Sequence, residues 1–214
     1  MDEEIIIINE KTRNEKIRSF FIENKKLLIS AITALILIIL AFYSYQIYKD
    51  RQKVLLSDKY NSAIIDYKNG EKTKIIKSMK EVIEEKDNTY SPLALYFLID
   101  NNLIENQNEV NQLFNILIDK TSLEPEIKNL IIYKKALFNA DSSQENELLK
   151  NLKPLINSES IWKSHALYLA AEYFYFKNEK QKSKEFFNQI LNTNNANQDI
   201  IKEAQKRLNR DLSE

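Results

Sequence analysis

Residues 27–48 read LLISAITALILIILAFYSYQIY, 22 positions without Asp, Glu, Lys or Arg, framed by Lys26 and Lys49. At about 1.5 Å per residue a helix of this length reaches roughly 33 Å, just beyond the ~30 Å hydrocarbon core of a bilayer. A cleaved signal peptide has an apolar region of only about 7–15 residues and ends at a small-residue cleavage site. Here the run is longer and leaves through Phe42-Tyr43-Ser44-Tyr45-Gln46-Ile47-Tyr48, bulky where a peptidase needs Ala. A buried core helix keeps a polar stripe, which this one lacks. Tyrosines at the exit suit the headgroup belt, where an apolar ring and a wet hydroxyl are satisfied together. The sequence therefore predicts an uncleaved span embedded in lipid from Leu27 to Tyr48.

Working outward, 26 residues precede the span and 166 follow it. The expected organisation is a short tail (1–26), one transmembrane helix (27–48) and one domain (49–214). Charge leaves the orientation balanced, with Arg18, Lys25 and Lys26 before the span and Lys49, Arg51 and Lys53 after it. A large domain translocates largely regardless of charge, which leans toward tail inside and domain outside. Within the span Ser30, Ala34 and Ala41 fall near one face, and close packing of small residues is how helices associate in lipid. Ala34 is thus a candidate contact for a membrane partner.

One Gly and three Pro leave few helix breakers, while Leu, Ile, Lys, Glu and Asn dominate. That composition predicts an all-α chain. A formal net charge of zero removes the electrostatic term that dominates nucleic-acid binding, so no nucleic-acid partner is expected. With no cysteine there is neither a disulfide framework nor a thiolate metal site.

Apolar periodicity and capping signals mark nine helical segments beyond the span. The first continues out of the span through Tyr60, Ile64 and Tyr67 to an αL-type stop at Asn69-Gly70. The second covers 72–86. The third starts with Ser91 as N-cap and Pro92 at N1 and fades at Asn101-Asn102. The fourth covers 109–119. Thr121-x-x-Glu124 and Ser142-x-x-Glu145 read as capping boxes for the fifth and sixth. The fifth ends at Asn139, and Pro154 is expected to break the sixth near Lys153. The seventh covers 160–177, the eighth 180–191, and a polar linker over 192–198 leads to a terminal amphipathic helix at 199–211.

These helices recur in pairs. Tyr60, Tyr96, Tyr133 and Tyr168 stand 36, 37 and 35 residues apart in the odd segments, each followed within ten positions by Gly70, Asn106, Asp141 or Asn178. Helix–turn–helix units at this period are the tetratricopeptide class. In the last unit Leu167, Ala170, Ala171, Phe174, Ser183 and Phe187 keep its relative spacings. The fold expected is all-α: an N-terminal transmembrane helix, then a tetratricopeptide-like α-solenoid of about four helix pairs and a capping helix. Stacked pairs curl into a concave surface that binds peptides or proteins.

No catalytic constellation is legible. His165 is the single histidine, flanked by Leu167, Tyr168 and Leu169, and lacks partners for a metal or a triad. One glycine cannot build a phosphate-cradling loop. The chain reads as a non-enzyme with no cofactor, metal or small-molecule substrate. The ring cluster Tyr168, Tyr173, Phe174, Tyr175, Phe176, Phe186 and Phe187 is mostly core by its spacing. Consecutive helix positions diverge by about 100°, so Tyr173, Tyr175 and Phe176 cannot all face one neighbour, and exposed rings among them are candidate partner anchors.

Three local runs, in order, carry a resemblance. Phe20-Phe21-x-Glu23-Asn24-x-Lys26 precedes the span, Asn88-Thr89-Tyr90 is followed by Leu93-Ala94, and Trp162 leads a tetratricopeptide-like repeat. From about Arg18 to Leu212 the chain resembles the YfgM family, ancillary subunits of the bacterial SecYEG translocon. The resemblance implies a single-pass inner-membrane protein with a cytoplasmic amino terminus and a periplasmic domain. It implies SecYEG-type translocon subunits and periplasmic chaperones as partners, and hand-off of exported chains between them. The other class open to this layout is a membrane-tethered scaffold for cell division or outer-membrane assembly.

Overall fold

The computed structural model describes residues 15, 18–68 and 70–213, and every described element is helical. Asn69 and most of the 1–26 tail lie outside the described residues. Two compact units divide at Leu55 and Leu56.

Helix α1 is a single helix of 44 residues, Lys25–Lys68. Within the first unit its apolar stretch has mean hydropathy 2.6 and none of it is buried. Among the described residues this is the one helix long and apolar enough to cross a membrane. Burying such a surface in lipid, at about 25 cal/mol per Å2 of apolar area, is the available way to hide it. After α1, Gly70 takes a left-handed φ of 90°, and its N–H donates to the Tyr67 carbonyl. That backbone shape costs glycine little.

The second unit contains the rest of the helices: α2 Lys72–Glu84, α3 Tyr90–Asp100, α4 Gln107–Asn115 with a π-helical turn at Ile116–Lys120, α5 Pro125–Asn139, α6 Glu145–Ile156, α7 Lys163–Phe176, α8 Lys180–Leu191 and α9 Gln198–Asp211. From α2 onward each helix packs on the next, and α7 also meets α5 and α9 across the helices between them. This is the contact order of stacked pairs, a tetratricopeptide-like solenoid. Lys86, Asn102 and Asn178 end α2, α3 and α7 in left-handed φ, as short terminators do.

Apolar side chains form three successive clusters. The first runs from Ala63 to Ile131 and holds Ile75, Met79, Leu95, Leu98, Phe114 and Leu117. The second runs from Ala136 to Phe174, and the third joins Leu167, Phe187, Ile190, Ala204 and Leu208 under α9. No pair buries its own face; the neighbour does.

Several local expectations are corrected. Ser91 is not an N-cap: it is buried and donates to the Val82 carbonyl at 2.8 Å, covering a carbonyl orphaned in the last turn of α2. Asp87 supplies the cap instead, accepting from the N–H groups of Thr89 and Tyr90 at 2.8 and 2.7 Å. Neither capping box forms. Thr121 donates to the Ile116 carbonyl, and Ser142 accepts from Gln107 while donating to the Asn139 carbonyl. Pro125 still opens α5 at N1. Pro154 does not break α6, which runs on to Ile156. Leu152 and Leu155 are fully buried on either side of it, and that anchoring offsets the missing donor on an exposed face. Asn106 and Asn197 cap α4 and α9, so both begin earlier than their apolar periodicity suggests.

Candidate interaction surfaces

The tyrosines that mark the repeat are half-buried, each wedged against a different neighbour. Tyr60 lies 5.8 Å from Tyr90, and Tyr96 lies beneath the Lys134 ammonium at 4.7 Å. Tyr133 stacks on Trp162 at 5.8 Å and 21°, and Tyr168 meets Phe187 edge-on at 5.5 Å. Burial pushes the phenols of Tyr60, Tyr96 and Tyr133 up, and drives Tyr168 to about 12. The recurrence therefore marks packing joints.

His165 completes the aromatic group of Tyr133 and Trp162, at 5.8 and 5.0 Å. Burial lowers its pKa, so it packs as a neutral ring. Trp162 itself is half-buried in this group and precedes the first turn of α7.

The candidate residues separate sharply. Tyr173 is withdrawn from any surface: it is buried, and its hydroxyl donates to the Ser143 carbonyl at 3.1 Å. Tyr175 is half-buried, covered by the Arg207 guanidinium at 4.2 Å. Phe176 alone is open, with 83% of its surface exposed. Ala34 is exposed on the apolar part of α1, in the first unit. Within the second unit the three rings do not form one surface.

A second set of exposed apolar residues lies elsewhere. Leu93, Ile127 and Ile161 are 42%, 41% and 63% exposed. They stand 34 residues apart: Leu93 and Ile127 in the first turns of α3 and α5, Ile161 two residues before α7. Glu126 accepts from the Ser160 hydroxyl at 2.7 Å, which sets the starts of α5 and α7 side by side. Apolar residues at or just before the first turn of an amphipathic helix read as core, so periodicity within each helix hides them. The signal that finds them is their constant step between helices.

A small cleft of about 100 Å3 opens between Ser160, Ile161, Lys163 and Ser164 on one side and Thr193–Ala196 on the other. It is smaller than the roughly 300 Å3 at which pockets for drug-sized ligands begin. Among the described residues no group of three His, Cys, Asp or Glu side chains could hold a metal ion.

No family model, curated protein or solved structure matches this chain. Its own geometry makes it a membrane-tethered, helical-repeat scaffold with surfaces for protein contact.

Proposed function

We propose that this chain is a single-pass adaptor of the bacterial inner membrane that sits beside a SecYEG-type translocon and passes exported proteins to periplasmic chaperones. Its tail is cytoplasmic and its domain periplasmic. It works by protein contact, with no catalysis of its own. The observation that carries the reading is the recurring exposed apolar residues Leu93, Ile127 and Ile161 on a domain tethered through α1. A chain emerging unfolded still displays its apolar side chains, and exposed residues of the same chemistry offer them transient burial. The layout of short tail, span and repeat domain, and the resemblance to the YfgM family, supply the choice of partner.

The test has two arms in intact cells. Protease added to spheroplasts should digest the domain and spare the tail; a protected domain would overturn the topology. Photo-crosslinking side chains placed at Ile127 and Ile161 should capture translocon subunits or chains in transit. Capture of division or outer-membrane assembly components instead would replace the translocon with another envelope machine.

A further inference from the structure

Helix α5 is apolar on more of its circumference than its neighbours cover. Ile131 and Phe138 enter the first apolar cluster, and Ile132, Tyr133 and Ala136 enter the second. Ile127, Leu130 and Leu137 enter none of the three. Ile127 and Leu137 are 41% and 49% exposed, and Leu130 is half-buried. With Lys134 they stand three, four and three residues apart, which places all four in one stripe along the helix.

The stripe has a definite aspect. Lys134 reaches over the Tyr96 ring of α3 at 4.7 Å, while Tyr133 packs on Trp162 and His165 at the start of α7. Consecutive helix positions lie about 100° apart, and Leu130 and Leu137 fall within the arc between Tyr133 and Lys134. They look out between α3 and α7, on the side where α3, α5 and α7 lie abreast.

Spacing and charge select the occupant. Positions three and four apart rise about 4.5 and 6 Å along an α-helix. The a and d positions of a second helix repeat at the same two steps. An extended strand shows same-face side chains about every 6.7 Å and drifts out of register. Ile127, Leu130, Lys134 and Leu137 thus read as a, d, a and d of a seam with no partner helix, charged at one a position. The Lys134 ammonium rests on a ring, which attracts a desolvated cation less than a paired carboxylate does.

We propose that the α5 seam takes one amphipathic helix of a partner protein, about three turns of it, apolar at its own a and d positions. An Asp or Glu of that helix stands in the layer opposite Lys134. The apolar layers supply burial, and Lys134 fixes the register, since any other alignment sets its charge against an apolar side chain. This deepens the adaptor reading, on which it rests only for the identity of the protein that supplies the helix.

The test uses the full-length protein in phosphatidylcholine nanodiscs, with a photo-crosslinking residue in place of Leu137. The probe is a synthetic helical peptide of three heptads, Leu at a and d except for Glu at the central a position. It should be captured, and capture should fall about tenfold or more when its Glu is replaced by Lys. Capture of the Lys probe should return on Lys134→Glu. Exchanging the probe leaves the protein unaltered, so that loss cannot come from misfolding. A central proline in the probe should abolish capture.

No capture of the Glu probe would overturn the seam, and equal capture of the Glu and Lys probes would overturn the charged layer. Equal capture of the proline probe would overturn the helical occupant. Crosslinked pairs of this chain formed without probe would assign the seam to a second copy and overturn the proposal. Capture of the Glu probe in nanodiscs, with no translocon subunit captured in cells, would uphold the seam and reject only the adaptor reading.

Discussion

Glu172 and Arg207 are clasped by two parallel hydrogen bonds, Nε to Oε1 and Nη2 to Oε2, both 2.7 Å long and joining α7 to α9. The same guanidinium bonds Asp211 and covers the Tyr175 ring. One side chain thus fastens the terminal helix electrostatically over the apolar seat of Ala204, Leu208 and Leu212. Planar bidentate geometry makes Arg irreplaceable by Lys here.

Arg207→Ala should loosen α9 and cost about 1–2 kcal/mol, a value reduced from that of a buried pair because Glu172 is partly solvated. Amide exchange in α9 should rise while that in α2 and α3 stays put. An equal rise throughout the unit would mean the terminal helix is not separately fastened.

The same cluster contributes a pH dependence at both ends. Hydrogen bonding from Arg210, then from Arg207, holds the Asp211 carboxyl down at about 2. A folded-state pKa below the ordinary ~3.9 means the contribution is complete above that value and is lost as pH falls through about 2. A carboxyl titration by nuclear magnetic resonance with its midpoint near 4 would refute the clasp. On the alkaline side burial, helped by the Glu172 carboxylate, raises Tyr168 to about 12. Its contribution is complete below the ordinary ~10 and is lost as pH rises through about 12. Tyr168→Phe should remove a late component from the tyrosinate absorbance titration.

Ser183 is fully buried in α8, and its hydroxyl has no hydrogen-bond partner. Ser183→Ala removes a desolvated polar group and improves helix propensity, so it should stabilise the chain by up to about 1 kcal/mol. Thermal unfolding is the readout. A lower melting temperature would show that the hydroxyl has a partner in solution.

Adjacent rings should behave oppositely. Tyr173→Phe strips the Ser143 carbonyl of a buried donor and should cost about 1–2 kcal/mol. Phe176→Ala, three positions on, should stay within about 0.5 kcal/mol because its ring is in solvent. Denaturant midpoints for the two variants decide this; matching losses would contradict the assignment of faces.

What the residues alone determined is what needs no neighbour. An uninterrupted apolar run over 27–48 declares its solvent by composition, and the scarcity of Gly and Pro makes the chain helical wherever it folds. The pairing of helices was also legible, because tyrosines and turn residues recur at one step. Tertiary structure decided whatever depends on a partner outside the local pattern. Ser91, Thr121 and Ser142 carry capping signatures, yet their hydroxyls serve carbonyls in preceding helices or a glutamine on α4. Pro154 carries a breaking signature and is overruled by Leu152 and Leu155. Of three neighbouring rings, Tyr173 is claimed by a carbonyl before α6 and Tyr175 by an arginine on α9, which leaves Phe176 in water. Helical spacing says that three such rings must diverge; only the helices packed around α7 decide which one is left uncovered.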